Sequence, residues 1–212
     1  KYREAGISDP ETAELPPMDA LMEASEHCDI DKLIIDRDAG TVYLDDPEMS
    51  LDLGASAKGY AVERAAQLLM DEGIESGYTI NIGGNVRTIG TKGDGSDWAA
   101  GIQNPDTADS EKPYIVRLKL NGMALVTSGN YQRYYEVDGV RYHHIIDPDT
   151  LMPLNNFDSV SILCADSGMA DALSTALFNM TISDGRAFLS KMDNIEAIWV
   201  LPGGSYECTD GF

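Results

Sequence analysis

The sequence predicts an α+β fold, a single mixed domain of antiparallel hairpins and helices over residues 1–212. Short segments alternate apolar with polar residues and meet at turn-forming pairs such as Asn121-Gly122 and Asp138-Gly139. Longer segments, 57–72 above all, repeat their apolar residues at helical spacing. No repeat or low-complexity linker divides the chain.

Taken in order, residues 11–26 place Leu15, Met18, Leu21 and Met22 at helical spacing. Residues 33–35 and 41–44 read as strands around the turn Asp38-Ala39-Gly40. A helix comes next over 57–72, its apolar face expected on Tyr60, Ala61, Ala65, Leu68 and Leu69, with Gly73 as its stop. Residues 78–82 form a strand ending at Gly83-Gly84, and 86–89 continue extended. Residues 114–120 and 123–126 flank Asn121-Gly122 as one expected hairpin, and 134–137 and 140–146 flank Asp138-Gly139 as another. A strand over 159–164 leads into a helix over 168–180. A last helix near 186–192 precedes strands at 197–201 and 205–208.

Thirty-six acidic against fifteen basic residues give a net charge of −21. Such a surface repels nucleic acid and anionic lipid, so no nucleic-acid partner is expected. An anionic ligand would need compensation from a metal, a lysine or helix N-termini. No run of 18 apolar residues occurs, and residues 1–10 lack the apolar core of a signal peptide. The three cysteines, Cys28, Cys164 and Cys208, form no CxxC pair, which disfavours a disulfide framework and a structural zinc alike.

Four stretches hold candidate chemistry. Asp52-Leu53-Gly54-Ala55-Ser56-Ala57-Lys58-Gly59 sets small residues before a helix whose first turn carries a lysine. Free amides beside a positive charge suit a phosphate, although an ordinary loop-to-helix junction looks the same. Asp171 and Thr175 stand four apart in a predicted helix, so a carboxylate and a hydroxyl share one face. Oxygen ligands of that kind suit magnesium, which keeps waters and substrate phosphate as its other ligands. The bland alternative is a polar helix face bonding back to its own carbonyls. His143 and His144 are adjacent on a strand and point to opposite faces, so at most one reaches a pocket. Thr127-Ser128-Gly129 comes after a strand and either presents hydroxyls to a ligand or simply turns.

In order along the chain, DLGASAKGYAVERAA, INIGGNVRTIG, VTSGNYQRYYEVDGVRYHHIIDPDT and MADALSTALFNM resemble the ApbE-type FAD:protein FMN transferases. The likeness runs from about residue 33 to Phe212, including the closing Thr209-Asp210-Gly211-Phe212. It implies an ApbE-like, T-fold-like domain and a magnesium-dependent transfer of FMN from FAD to a threonine or serine hydroxyl of an acceptor protein, with AMP leaving. The metal ligands it implies are the carbonyl of Ala55, the Asp171 carboxylate and the Thr175 hydroxyl, with Ser174 adjacent. The FAD contacts it implies are Asp52, Lys58, His144 and Ile145, with Ser128 in the loop lining the same cleft. Asp171 and His144 are rival candidates for the catalytic base. With water as nucleophile, the same site would be an FAD pyrophosphatase; without turnover, a flavin-binding module. The acceptor implied is a flavoprotein subunit of a redox complex, and the setting extracytoplasmic, commonly as a membrane-anchored lipoprotein whose lipid anchor these residues do not contain. Two departures stand out. Leu151 replaces the family's usual Gly after Asp-Pro-x-Thr, so that turn is expected to differ. The family's N-terminal portion with its GAFD-like motif is not found, so the domain is expected to be N-terminally truncated.

Overall fold

Antiparallel pairing organises every strand of the computed structural model, which describes residues 2–106, 109 and 111–212. The α+β expectation holds, and the chain divides into two units. The first comprises Lys1–Asp52 and Arg133–Pro153, the second Leu53–Gln132 and Leu154–Phe212.

The first unit contains helices α1 (Tyr2–Ser8) and α2 (Met18–Ser25) and two hairpins. These pair β1 (Leu33–Asp36) with β2 (Thr41–Leu44), and β8 (Tyr134–Val137) with β9 (Val140–His143). The helix expected over 11–26 begins only at Met18. Pro16 and Pro17 lack amide donors and push the preceding residue out of the helical region, leaving a short 3-10 turn at Pro10–Thr12 upstream. In the second hairpin Tyr135 stacks on Tyr142 at 5.7 Å between ring centroids. Its return strand stops at His143 rather than 146, because Asp147 folds the chain into a turn. There Thr150 Oγ1 donates to the Asp147 carboxylate at 2.7 Å and the Leu151 amide to the Asp147 carbonyl at 2.8 Å. Leu151 adopts φ +58°, the left-handed backbone that a glycine takes freely. The departure in residue type therefore leaves the handedness of a glycine turn, at a cost of about 1–2 kcal/mol.

An ion cluster ties residues 27–48 of this unit together. Asp46, nearly buried, takes His27 Nδ1 at 2.9 Å and Lys32 Nζ at 3.0 Å. The hydrogen bond to Asp46 raises the His27 pKa above 6.5, aided by the charges of Asp46 and Glu48 and opposed by burial. Because the folded value is the higher one, this contact stabilises the protein below the unfolded-histidine pKa and is lost as pH rises through the folded value. The Asp46 carboxyl is held far below the usual carboxylate range, first by His27, so its own contribution survives until strong acid. We expect the NMR titration midpoint of the His27 imidazole to lie above that of an unperturbed histidine, and Asp46→Asn to bring it down. A midpoint indifferent to that substitution would rule the pair out.

In the second unit a six-stranded sheet runs in the order β12-β11-β10-β7-β4-β3. Its strands are β3 (Tyr78–Ile82), β4 (Asn85–Ile89), β7 (Ala124–Gly129), β10 (Ser159–Cys164), β11 (Glu196–Val200) and β12 (Tyr206–Cys208). The β3–β4 turn is Gly83-Gly84, with φ +58° and +92°, the pair of positive values that a two-residue hairpin turn demands. Helices α3 (Ala57–Asp71) and α4 (Ser167–Phe178) pack on this sheet and on each other. A two-stranded ribbon of β5 (Trp98–Gln103) and β6 (Tyr114–Leu120) contributes Ile102 and Leu120 to a core with Leu125, Ile198 and Val200.

Three expectations give way to the structure. Residues 114–120 and 123–126 do not pair as a hairpin: β6 pairs with β5, whereas β7 pairs with β4 and β10. The Asn121-Gly122 turn carries the chain from one sheet to another. The face of α3 that is buried is Gly59, Val62, Glu63 and Ala66, while Tyr60 and Leu68 are about 60% exposed (63% and 59%). Small residues win because α3 crosses α4 closely. Helix α5 spans Ile182–Leu189, upstream of 186–192, because Thr181 caps it by accepting the Asp184 amide at 3.1 Å.

Candidate functional site

Helix α4 owes its start to Asp166, whose side chain accepts the Met169 amide at 2.9 Å. The first turns of α4 are built mostly from small residues, and the approach of α3 uses that. A Cβ on Gly168 would meet the Tyr60 backbone at 3.4 Å. Gly59 has no room for one at all, since it would collide with the Ser167 carbonyl oxygen and the Asp171 Cβ. A buried ion pair fixes the crossing. Glu63 Oε2 accepts from Arg87 Nε on β4 and from the Ser167 amide that opens α4, both at 2.9 Å.

The first amides of a helix have no partner within it. Ser56, the N-cap of α3, offers no side-chain bond. Asp171 supplies one from the neighbouring helix: its Oδ2 accepts the Gly59 amide at 2.8 Å. The residue is 3% exposed, and a carboxylate at a helix N-terminus is in favourable potential. Its other oxygen faces Lys58 Nζ at 3.5 Å, and the same ammonium donates to the Gly54 carbonyl at 3.2 Å. Lys58 is 40% exposed, so screening keeps the pair's contribution to stability small. Its significance is positional, because it joins the loop to α4.

One turn beyond Asp171, three hydroxyls meet. Ser128 Oγ on β7 lies 2.7 Å from Ser174 Oγ and 3.3 Å from Thr175 Oγ1, and Ser174 Oγ donates to the Asp171 carbonyl at 2.9 Å. Strand alternation sends the neighbouring Thr127 the other way, onto Ser161 Oγ at 2.7 Å. The β3–β4 turn also borders the group, since a Cβ on Gly83 would stand 3.8 Å from Lys58 Cδ.

The second unit thus brings together Lys58, Ser128, Asp171 and Thr175, with Ala55 in the same tight turn as Gly54, where the Ser56 and Ala57 amides close onto the Leu53 carbonyl at 3.0 and 2.8 Å. Asp52, His144 and Ile145 belong to the first unit. There Asp52 is exposed, and Ile145 is buried with its amide donating to His143 Nδ1 at 3.2 Å. The two histidines differ in burial, although β9 ends at His143 and strand alternation does not reach His144: His143 is buried, and His144 is half-buried with Nδ1 3.3 Å from the Arg133 carbonyl. Sequence reasoning passed over Glu63 and Arg87, and took Gly59 only as one of the small residues before the helix. Glu63 stands four residues after Gly59, so both lie on one helix face, the available signal for these two.

Among the described residues no three His, Cys, Asp or Glu side chains converge as a metal cluster. The donor set around Asp171 is instead one carboxylate, a hydroxyl and main-chain carbonyls. Hard oxygens with a single charge fit magnesium completed by water and phosphate, and do not fit zinc. The Lys58 ammonium lies between the Gly54 carbonyl and the Asp171 carboxylate. On the opposite face of the sheet lies a separate cavity of about 550 Å³, lined by residues that include Thr79, Asn81, Thr88, Trp98, Gln103 and Tyr114. Arg87 reaches α3 while its neighbour Thr88 lines that cavity, and none of the candidate residues does.

Residues 3–199 match the model of the ApbE family. A protein of Klebsiella pneumoniae named FAD:protein FMN transferase is 39% identical over 92% of this chain, and one of the same name from Treponema pallidum is 37% identical over 90%. The chain spans a little over half the length of these curated relatives, 57% and 56%. The crystal structure of the ApbE protein from Thermotoga maritima superposes with a TM-score of 0.84 at 35% identity, covering 95% of this chain and 64% of that one. The flavin transferase ApbE from Vibrio cholerae gives a TM-score of 0.73 at 30% identity, covering 92% and 61%.

Proposed function

Because the chain belongs to the ApbE family, we propose that it acts in magnesium-dependent transfer of FMN from FAD to a threonine or serine hydroxyl of an acceptor flavoprotein. The observation that carries this reading is that the loop before α3 and helix α4 meet at one cation, the Lys58 ammonium, through the Gly54 carbonyl and the Asp171 carboxylate. Ala55 through its carbonyl, Asp171 and Thr175 would hold the magnesium ion. When bound, the metal supplies positive charge against the diphosphate oxygens.

The chain's own groups do the rest. Lys58, at the start of α3, offers a second positive charge to a dianionic diphosphate, against a protein of net charge −21. Gly83 and the α3 terminus keep the approach free of side-chain bulk. In the reaction the acceptor hydroxyl oxygen bonds to the phosphorus of the FMN half, and the bond from that phosphorus to the bridging oxygen breaks. AMP carries the bridging oxygen away, and the hydroxyl proton passes to Asp171 or His144 as base. An extracytoplasmic setting belongs to the same proposal.

The test incubates the protein with FAD, magnesium and a threonine-bearing flavoprotein acceptor, and measures the mass of the acceptor. We expect a covalent FMN increment that disappears when magnesium is chelated. Free FMN and AMP with an unmodified acceptor would make the protein a pyrophosphatase. Bound FAD without turnover would make it a binding module.

A further inference from the structure

We propose that Ser128 and Ser174 are positioning residues that fix the direction of the Thr175 hydroxyl, so that its oxygen is offered to a divalent cation as an acceptor only. The inference rests on the proposed metal site and adds two residues to it.

Each hydroxyl has a single hydrogen to donate. Ser174 Oγ lies 2.9 Å from the Asp171 carbonyl oxygen, and a carbonyl can only accept, so the Ser174 hydrogen is spent there. The 2.7 Å contact between Ser128 Oγ and Ser174 Oγ must then be donated by Ser128. With the Ser128 hydrogen also spent, its 3.3 Å contact to Thr175 Oγ1 is donated by Thr175. The chain of hydroxyls thus has one polarity, from Thr175 through Ser128 and Ser174 to the backbone of α4. A helical threonine otherwise gives its hydrogen to the carbonyl three or four residues back. Here the carbonyl four back, that of Asp171, already accepts from Ser174, and the Thr175 hydrogen is drawn towards β7 instead. Only lone pairs remain on Thr175 Oγ1, and a hard cation binds lone pairs and is repelled by a hydroxyl hydrogen. Ser174 is fully buried, so the first link is shielded from competing water.

The order breaks at either serine. Without the Ser174 hydroxyl, the Ser128 hydrogen is free to turn onto Thr175 Oγ1, which would then have to direct its own hydrogen outwards. Without the Ser128 hydroxyl, the Thr175 hydrogen has no acceptor on β7.

The experiment titrates Mn2+ alone into the chain, read by electron paramagnetic resonance, with Mg2+ as competitor. It compares wild type with Ser174→Ala, Ser128→Ala, the double variant and Thr175→Val, which sets the loss expected when the ligand itself is gone. We expect each serine variant to weaken the cation by roughly tenfold, the usual scale for groups that orient a ligand. The double variant should be no weaker than the worse single, because one chain can be broken only once. Unfolding midpoints taken without metal separate a folding defect in one variant from a loss of affinity, and the other single variant carries the test in that event. Unchanged affinity in folded Ser174→Ala and Ser128→Ala, or losses that multiply in the double variant, would overturn the proposal while leaving the metal site intact. No saturable binding to wild type would overturn both.

Discussion

Replacing Asp171 with asparagine should abolish FMN transfer while the protein stays folded. The Asp171 side chain has two separate duties, and the substitution parts them. Oδ2 accepts the Gly59 amide at the start of α3, a bond that an amide oxygen can still accept. Oδ1 provides the buried negative charge that faces Lys58 and, in the proposed reaction, the metal. Losing a charge that anchors the metal costs several kcal/mol of transition-state stabilisation, so the rate should fall roughly a thousandfold or more. Asp171→Ala should lose activity to the same extent and stability as well. It leaves the buried Gly59 amide without its partner, at about 1–3 kcal/mol. The checks are acceptor mass for transfer and urea midpoints for stability. Transfer near the wild-type rate in Asp171→Asn would end the proposed metal site. Equal stability for the two variants would end the capping role.

That capping duty of Asp171 was invisible in the sequence, and the reason is physical. The aspartate and the amide it caps are 112 residues apart, and pattern reading works at the range of one helical turn. Where local chemistry decides, the sequence was legible. The Gly83-Gly84 turn sits where two positive φ values are needed, and β3 begins and ends as its alternation suggests. Where distant partners decide, it was not. Asn121-Gly122 signals a tight turn, yet nothing near it says that β6 will pair with β5. Trp98–Gln103 is a strand of Trp, Ala, Ala, Gly, Ile and Gln, too poor in large apolar residues to announce itself, and its partner strand defines it. On α3 periodicity selected the bulky residues, whereas a close helix crossing selects those with the least bulk. The candidate site divided the same way. The four-residue spacing of Asp171 and Thr175 was readable, and the hydroxyl path from Thr175 to β7 was not.

Gly59→Ala should be strongly damaging although it adds only a single methyl group to a helix. The added carbon has nowhere to go: it would overlap the Ser167 carbonyl oxygen and the Asp171 Cβ, and the Ser167 carbonyl carbon would stand at 2.9 Å. Two of those three atoms are backbone, so no rotamer change relieves the contact. Only separation of α3 from α4 does, and three further bonds resist it. The Gly59 amide would be drawn away from Asp171, and the Glu63 carboxylate would have to release either Arg87 or the Ser167 amide. Alanine is the better helix former by nearly 1 kcal/mol, so propensity alone predicts stabilisation. Overpacking of a rigid contact costs about 1–3 kcal/mol, and strain on a buried ion pair adds to it, so the sign reverses. We expect a net loss of about 2 kcal/mol or more by denaturant midpoint, together with weakened cation binding, because the carboxylate moves with the helix that carries it. The same substitution at Gly73 meets no atom within 4 Å, but its φ of +84° disfavours alanine, so any loss there should be backbone strain alone and leave cation binding unchanged. If Gly59→Ala retained wild-type stability and cation affinity, the two helices would have to be packed more loosely than these contacts allow.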